Sequence, residues 1–181
     1  MPLFSFEGKA PQVHPTAFIA PTATLVGDVT VEEGASIWYG TVIRADFSPV
    51  IVRKGANVQD GAVLHGPPGQ QTEIGPGATV AHLCVVHGAF LGEECLIANG
   101  CTVLDGARIG ARSLIAAHSL VAAGAVIPDG VLAAGSPAEV KRSIEGTPAQ
   151  MWVTMNPPVY AELAQRHKVG VAPAPDHEGQ G

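Results

Sequence analysis

Aliphatic residues recur every six positions along most of this chain, with a few short interruptions. A small residue usually follows four positions after each aliphatic one. A six-residue repeat of this kind predicts a parallel β-helix, in which each repeat supplies a short strand and a corner. The aliphatic series is Val13, Ile19, Leu25, Val31, Ile37, Ile43, Val52, Val58, Leu64, Ile74, Val80, Val86, Leu91, Ile97, Val103, Ile109, Ile115, Val121 and Ile127.

The length of the series predicts the size of the solenoid. Three repeats close one triangular coil, so residues 18 regular positions apart should stack at the strand spacing of about 4.8 Å. The nineteen aliphatic positions therefore predict about six coils. We assign the all-β solenoid to residues 13–135, after an N-terminal lead-in over residues 1–12.

The C-terminal region loses the period, and residues 136–169 are predicted to form an α-helical tail that lies along the coils. Ser136-Pro137 has the residue types of a helix start, with serine at the cap and proline in the first turn. Pro157-Pro158 is expected to interrupt the tail, which leaves residues 158–167 as a second short helix. Residues 170–181 are expected to be disordered.

The composition excludes several classes of function. The 181 residues, 46% of them hydrophobic, suit one domain with a core. A net charge of −6 without a long basic run argues against nucleic acid as a partner. We expect no membrane span and no signal peptide, and hence a cytoplasmic protein. The cysteines, Cys84, Cys95 and Cys101, occupy the small-residue position and are predicted to pack inside as free thiols.

Three histidines occupy informative positions in the repeat. His65 and His87 are both the second residue of their hexads, and these hexads lie three repeats apart. The two side chains should therefore stack on one face, one coil apart. His82 is the third residue of its hexad and belongs to the preceding face.

This arrangement predicts a metal site shared between subunits. Two imidazoles stacked at the strand spacing can share a metal ion with bonds of about 2.0–2.1 Å. His82 of the same chain points from another face, so we expect the third ligand to come from His82 of a neighbouring subunit. A threefold homotrimer would then carry one metal site at each of its interfaces.

The sequence resembles the γ-class carbonic anhydrases and their hexapeptide-repeat relatives over about residues 10–145. The matching motifs are Arg44-Ala45-Asp46, then Asn57-Val58-Gln59-Asp60, then the three histidines at positions 65, 82 and 87. The resemblance implies a left-handed β-helix. It also implies that Arg44 and Asp46 form ion pairs that organise a trimer interface.

The resemblance further implies the ligand set His65, His82 and His87, with the middle one from the adjacent subunit. Gln59 would hydrogen-bond the metal-bound water, and Asp60 would support the site. The implied reaction is hydration of CO₂ to bicarbonate, because a bound metal ion lowers the pKa of its water to about 7. The expected metal is Zn²⁺, with Fe²⁺ or Co²⁺ as alternatives.

The chain departs from the family pattern at the proton shuttle. Phe47 follows Asp46 where active members carry a glutamate, and the insertion after His65 lacks the acidic loop of those members. Loss of a shuttle should slow turnover, because the reaction has to export a proton. Glu73 is a candidate replacement, and Tyr160 in the tail is a candidate residue of the site wall.

Three other interpretations stay open. The same fold carries coenzyme A-dependent acyltransferases, which need one catalytic histidine and no metal. A metal-dependent acyl-CoA thioesterase and a trimeric metal-binding protein without turnover are the others.

Overall fold

The computed structural model describes residues 2–174, and these contain twenty strands, most of them short, followed by one long helix, α1 (Pro148–Gly170). The strands in chain order are β1 (Leu3–Phe4), β2 (Gln12–Val13), β3 (Phe18–Ile19), β4 (Thr24–Val31), β5 (Ser36–Ile37), β6 (Val42–Val52), β7 (Asn57–Val58), β8 (Val63–His65), β9 (Thr72–Ile74), β10 (Thr79–Val80), β11 (Val85–His87), β12 (Phe90–Leu91), β13 (Leu96–Ile97), β14 (Thr102–Val103), β15 (Arg108–Ile109), β16 (Leu114–Ile115), β17 (Leu120–Val121), β18 (Val126–Ile127), β19 (Val131–Gly135) and β20 (Ala138–Ser143).

The strands stack into three parallel faces of a left-handed β-helix. The first face runs from β6 through β8, β11 and β14 to β17, and the second runs from β6 through β9, β12 and β15 to β18. The third face contains β3, β5, β7, β10, β13, β16 and β19. The long strands β4 and β6 turn the corner between the first two faces and pair on both. The predicted β-solenoid is therefore confirmed.

The core follows the six-residue period. Leu64, Ile97 and Ile115 are fully buried, as are most other aliphatic positions of the series. The small residues that follow fill the corners, and all three cysteines are buried and free as predicted. Small side chains are needed there because the chain turns inward at each corner.

The solenoid has seven levels, one more than the aliphatic series predicted. The third face stacks seven strands, and β19 forms the last. Ala133 occupies the inward position of β19 and is fully buried. The repeat therefore continues one step past Ile127 with alanine in the aliphatic position, which hid the last coil from the pattern.

The predicted helix start at Ser136-Pro137 is wrong. These residues form the turn between β19 and β20, which pair antiparallel. The pairing satisfies the backbone groups that β19 would otherwise expose at the edge of its sheet. Helix α1 begins at Pro148 with Thr147 at the cap position, so the same Ser/Thr-Pro signal applies eleven residues later.

The predicted break at Pro157-Pro158 is also wrong, because both prolines lie inside α1. Buried Val153 and Ala164 hold the helix on the solenoid on either side of the pair, and such packing can outweigh local propensity. Near its end, the ring of His167 lies against Trp38, with centroids 4.9 Å apart. Its Nδ1 lies 2.9 Å from the Tyr39 hydroxyl.

The predicted disorder of residues 170–181 falls mostly on positions 175–181, which lie outside the described residues. Residues 171–174 follow the helix without regular structure. Within the described chain, α1 does not combine the length and apolarity needed to cross a membrane.

Candidate metal site

His65 and His87 stack in register at the ends of β8 and β11, as the repeat predicted. The Nδ1 atom of His65 lies 3.0 Å from Nε2 of His87, and the ring centroids are 5.0 Å apart. Both residues sit where the first face meets the corner that leads to the second. This placement brings two ring nitrogens face to face at the surface of the solenoid.

A carboxylate holds the outer nitrogen of each ring. Asp46 Oδ1 lies 2.9 Å from Nε2 of His65, and an oxygen of Asp105 contacts Nδ1 of His87. The four residues Asp46, His65, His87 and Asp105 come from successive coils and are called the Asp–His ladder here. Arg44 forms an ion pair with the second oxygen of Asp46.

Asp46 is ionised at neutral pH. Burial alone would raise the pKa of this carboxyl, but hydrogen bonds from His65 and Arg44 outweigh burial and hold the pKa below its ordinary value. An ionised carboxylate can only accept hydrogen bonds, so the His65 nitrogen that faces it must donate.

The Asp–His ladder fits a bound cation. When both outer nitrogens donate to carboxylates, each neutral ring directs a lone pair from its inner nitrogen toward the other ring. Two lone pairs 3.0 Å apart repel unless a proton or a metal ion lies with them. Metal-binding histidines commonly donate their second nitrogen to a carboxylate, and both rings have a carboxylate beside that nitrogen here. The donor set therefore fits Zn²⁺ and similar ions.

His82 lies elsewhere in the same chain, on the third face. Its Nδ1 is 3.0 Å from Asp60 Oδ2, and its Nε2 is 3.5 Å from the hydroxyl of Tyr160 on α1. The side chain as a whole is 42% exposed. Burial, with a smaller contribution from the negative charge of Asp60, raises the pKa of Tyr160.

A single chain does not assemble the predicted ligand trio. Among the described residues, no group of three or more His, Cys, Asp or Glu side chains is placed to hold a metal ion. The structure brings together His65 and His87 and separately brings together His82, Asp60 and Tyr160. The predicted third ligand from a neighbouring subunit stays a prediction.

Gln59 lies one coil before His82 on the third face and is buried. Its Nε2 donates to Asn57 Oδ1 at 2.9 Å, and Asn57 donates in turn to Thr79 at 2.8 Å. This chain of hydrogen bonds fixes the Gln59 amide. Gln59 also lines a cavity of about 320 Å³ between α1 and the third face, whose other lining residues include His82, Tyr160, Asn156, Leu114 and Trp152.

Glu73, the candidate for the proton shuttle, is not favoured by its position. Glu73 lies on the second face, where its carboxylate is 2.7 Å from Nε of Arg53 in an ion pair. Phe47 is 62% exposed, and its ring centroid is 5.9 Å from that of His65. An apolar ring therefore stands beside the histidine pair where a carboxylate would be expected.

Asp105 is the site residue that sequence reasoning missed. It is the third residue of the hexad that begins at Val103, one coil beyond the hexad of His87. A search of neighbouring hexad positions one coil away from His87 would have found this residue.

The fold and the Asp–His ladder together define a hexapeptide-repeat protein. Comparisons with known proteins identify the family more closely. A scan against protein-family models finds no match. The chain is 42% identical over 142 residues to a carbonic anhydrase of Geobacillus kaustophilus, a match that covers 78% of both proteins. It is 40% identical to the carnitine operon protein CaiE of Escherichia coli O157:H7, but the match spans only 50% of that protein.

Two solved structures are similar along nearly their whole length. One is a hexapeptide transferase family protein of Anaplasma phagocytophilum, with TM-score 0.86, 35% identity, and coverage of 91% of this chain and 96% of that one. The other is a putative acetyltransferase of Bacillus cereus, with TM-score 0.89, 37% identity, and coverage of 92% and 96%. The chain therefore belongs to the γ-class carbonic anhydrase-like family of hexapeptide-repeat proteins.

Proposed function

We propose that this protein is a metal-dependent enzyme that hydrates CO₂ to bicarbonate as a homotrimer. Each of the three interfaces would hold one metal ion between His65 and His87 of one protomer and His82 of the partner subunit. The observation that carries the proposal is the pair of inner ring nitrogens 3.0 Å apart, each backed by a carboxylate.

Exposed apolar side chains support the association. Val42, Val63 and Val85 point outward in one row on the first face, beside the histidine pair, and each is more than one-third exposed. Leu83, next to His82 in sequence, is 71% exposed and has a φ of +60°, a conformation that leucine rarely adopts. A second copy of the chain that covers these residues would offset the cost of exposing them.

The residues of the chain have separable roles in the proposed reaction. A bound Zn²⁺, Fe²⁺ or Co²⁺ would supply an acidic water, and three neutral imidazoles would leave the charge of the ion intact. Asp46 and Asp60 orient the rings of His65 and His82. The fixed amide of Gln59 would orient that water, and Tyr160 would offer a protonated hydroxyl next to His82.

Proton export is expected to limit the rate. Phe47 occupies the position of a shuttle carboxylate, and Glu73 is held by Arg53 on another face. We therefore expect turnover that rises with the concentration of added buffer, because an external base replaces the missing internal one.

Metal analysis followed by kinetics tests the proposal. Protein purified without oxygen should contain stoichiometric metal, and stopped-flow assays should detect CO₂ hydration that is lost on chelation and restored by Zn²⁺ or Co²⁺. Stoichiometric metal without hydration would overturn the catalytic proposal and leave a metal-binding protein. Absence of metal together with acyl transfer from a coenzyme A thioester would favour an acyltransferase.

The cavity supports acyl-thioester hydrolysis as a second candidate function. Its volume of about 320 Å³ is within the range of small-molecule sites, and Leu114 and Trp152 give it apolar walls. Water would add to the acyl carbonyl, the carbon–sulfur bond would break, and the thiol would leave with a proton. Trp152→Ala should then weaken thioester hydrolysis while CO₂ hydration stays unchanged.

A further inference from the structure

Asp105 makes a specific contact with the histidine pair. Its carboxylate bonds to Nδ1 of His87, and among the ion pairs within residues 2–174 it takes part in that one alone. Asp46, at the other end of the Asp–His ladder, is instead shared between His65 and Arg44. The two ends of the ladder therefore differ in how they are held.

The backbone next to His87 is shaped to admit this carboxylate. Gly88 has a φ of +56°, and a Cβ atom at that position would lie 2.7 Å from Oδ1 of Asp105. The backbone N–H of Gly106, the residue after Asp105, donates to the Gly88 carbonyl at 2.7 Å, which fixes the spacing of the two turns. Close approach of Asp105 to His87 therefore depends on glycine at position 88.

We infer that Asp105 is a positioning residue that fixes the tautomer of His87, so that Nε2 keeps its lone pair for a metal ion. The inference rests on the proposed function and extends it to a residue outside the matching motifs. Each of the three histidines then has its own carboxylate: Asp46 for His65, Asp60 for His82 and Asp105 for His87.

This set also balances charge around the site. Three carboxylates offset the two charges of a divalent ion and the single charge of Arg44. Removal of the Asp105 charge should therefore weaken cation binding both by freeing the ring of His87 and by removing one compensating charge. Loss of a carboxylate of this kind typically lowers metal affinity about 10- to 100-fold.

The test compares Asp105→Asn, Asp105→Glu and Asp129→Asn with the unmodified protein. Asp129 lies in another turn, where its Oδ1 accepts a hydrogen bond from the Ala111 N–H at 2.8 Å, and asparagine can replace that contact. Zn²⁺ and Co²⁺ affinities are measured by competition with a chelator. We expect about a tenfold or greater loss in Asp105→Asn, partial recovery in Asp105→Glu and no change in Asp129→Asn.

The tautomer itself provides a second readout that does not need metal. In metal-free protein, ¹⁵N NMR of the imidazoles should report hydrogen on Nδ1 of His87, and Asp105→Asn should lose that preference. Equal metal affinity and an unchanged tautomer in Asp105→Asn would overturn the inference while the proposed function stands. An unmodified protein that binds no metal would overturn the proposed function, and the NMR comparison would still decide the tautomer.

Discussion

His65 and His87 lie one coil apart in strict register, and their facing ring nitrogens are 3.0 Å apart. The repeat alone places the two side chains together, but the carboxylates at both ends of the Asp–His ladder decide which nitrogens face each other. Each chain therefore positions two of the three proposed metal ligands, His65 and His87, without a partner subunit or an ion.

Subunit complementation tests the shared site. His65→Ala and His82→Ala should each abolish metal binding as homotrimers, because every interface then lacks a ligand. Mixed trimers of the two variants should regain metal at one interface, where an intact His65 and His87 meet an intact His82. The measurement is metal content of purified mixed trimers by mass spectrometry. Full metal loading of the His82→Ala homotrimer would rule out the split arrangement.

Leu83→Asp should disrupt association without unfolding the coil. The leucine is 71% exposed and lies between His82 and buried Cys84, so a charge there would meet the partner subunit and not the core. Each interface should lose about 2 kcal/mol or more. Light scattering after gel filtration measures the mass. Val126→Asp is the matched control, because Val126 is 68% exposed on the second face.

The two variants should differ clearly. Leu83→Asp should elute as a monomer with little metal, whereas Val126→Asp should stay trimeric and loaded. A trimeric Leu83→Asp protein would place the interface elsewhere.

The Asp46 carboxylate should stabilise the protein in a pH-dependent way. Its pKa is lowered in the folded state, so its stabilising contribution is complete above the unfolded pKa of about 3.9 and disappears as the pH falls through the folded value. Asp46→Asn should therefore be less stable than the unmodified protein at pH 7, and the difference should vanish in acid. Urea unfolding at pH 7 and across the acid range measures it, and a difference that grows below pH 4 would contradict this prediction.

Tyr160→Phe should separate chemistry from metal binding. The phenol contacts His82, and its ring packs edge-on against Trp38 with centroids 5.3 Å apart, a contact that phenylalanine keeps. Metal content should be unchanged, while kcat/KM for CO₂ should fall about tenfold through loss of one hydrogen bond. Because the pKa of Tyr160 is raised, the effect should persist through neutral pH. Loss of metal in this variant would instead give Tyr160 a structural role.

The six-residue period predicted most of the fold because each aliphatic residue has one inward position to fill. It failed where another residue met the same requirement, as Ala133 does in the last coil. The prediction of a helix start at Ser136-Pro137 failed because serine and proline also suit a tight turn between strands. Local residue types do not reveal that β19 has a free edge to cover.

The site was predictable where its residues occupy equivalent positions of the six-residue repeat. His65 and His87 stack as counted, and Asp60 reaches His82 one coil away. Asp105 contacts His87 from a different position of its hexad, so a comparison of equivalent positions does not reveal the contact. The contact between Tyr160 and His82 depends on how α1 lies on the solenoid, which the repeat does not determine.

The length of helix α1 is close to the height of the solenoid. Its 23 residues span about 34 Å, and six strand spacings from the first to the last coil of the third face span about 29 Å. Both ends are tied down, at Tyr39 near the first coils and through Val153 near the last. A relative with one extra coil before β19 would have to lengthen its helix by about three residues, or else Tyr160 would shift one level away from His82. The number of coils and the position of Tyr160 against His82 thus depend on the same helix length.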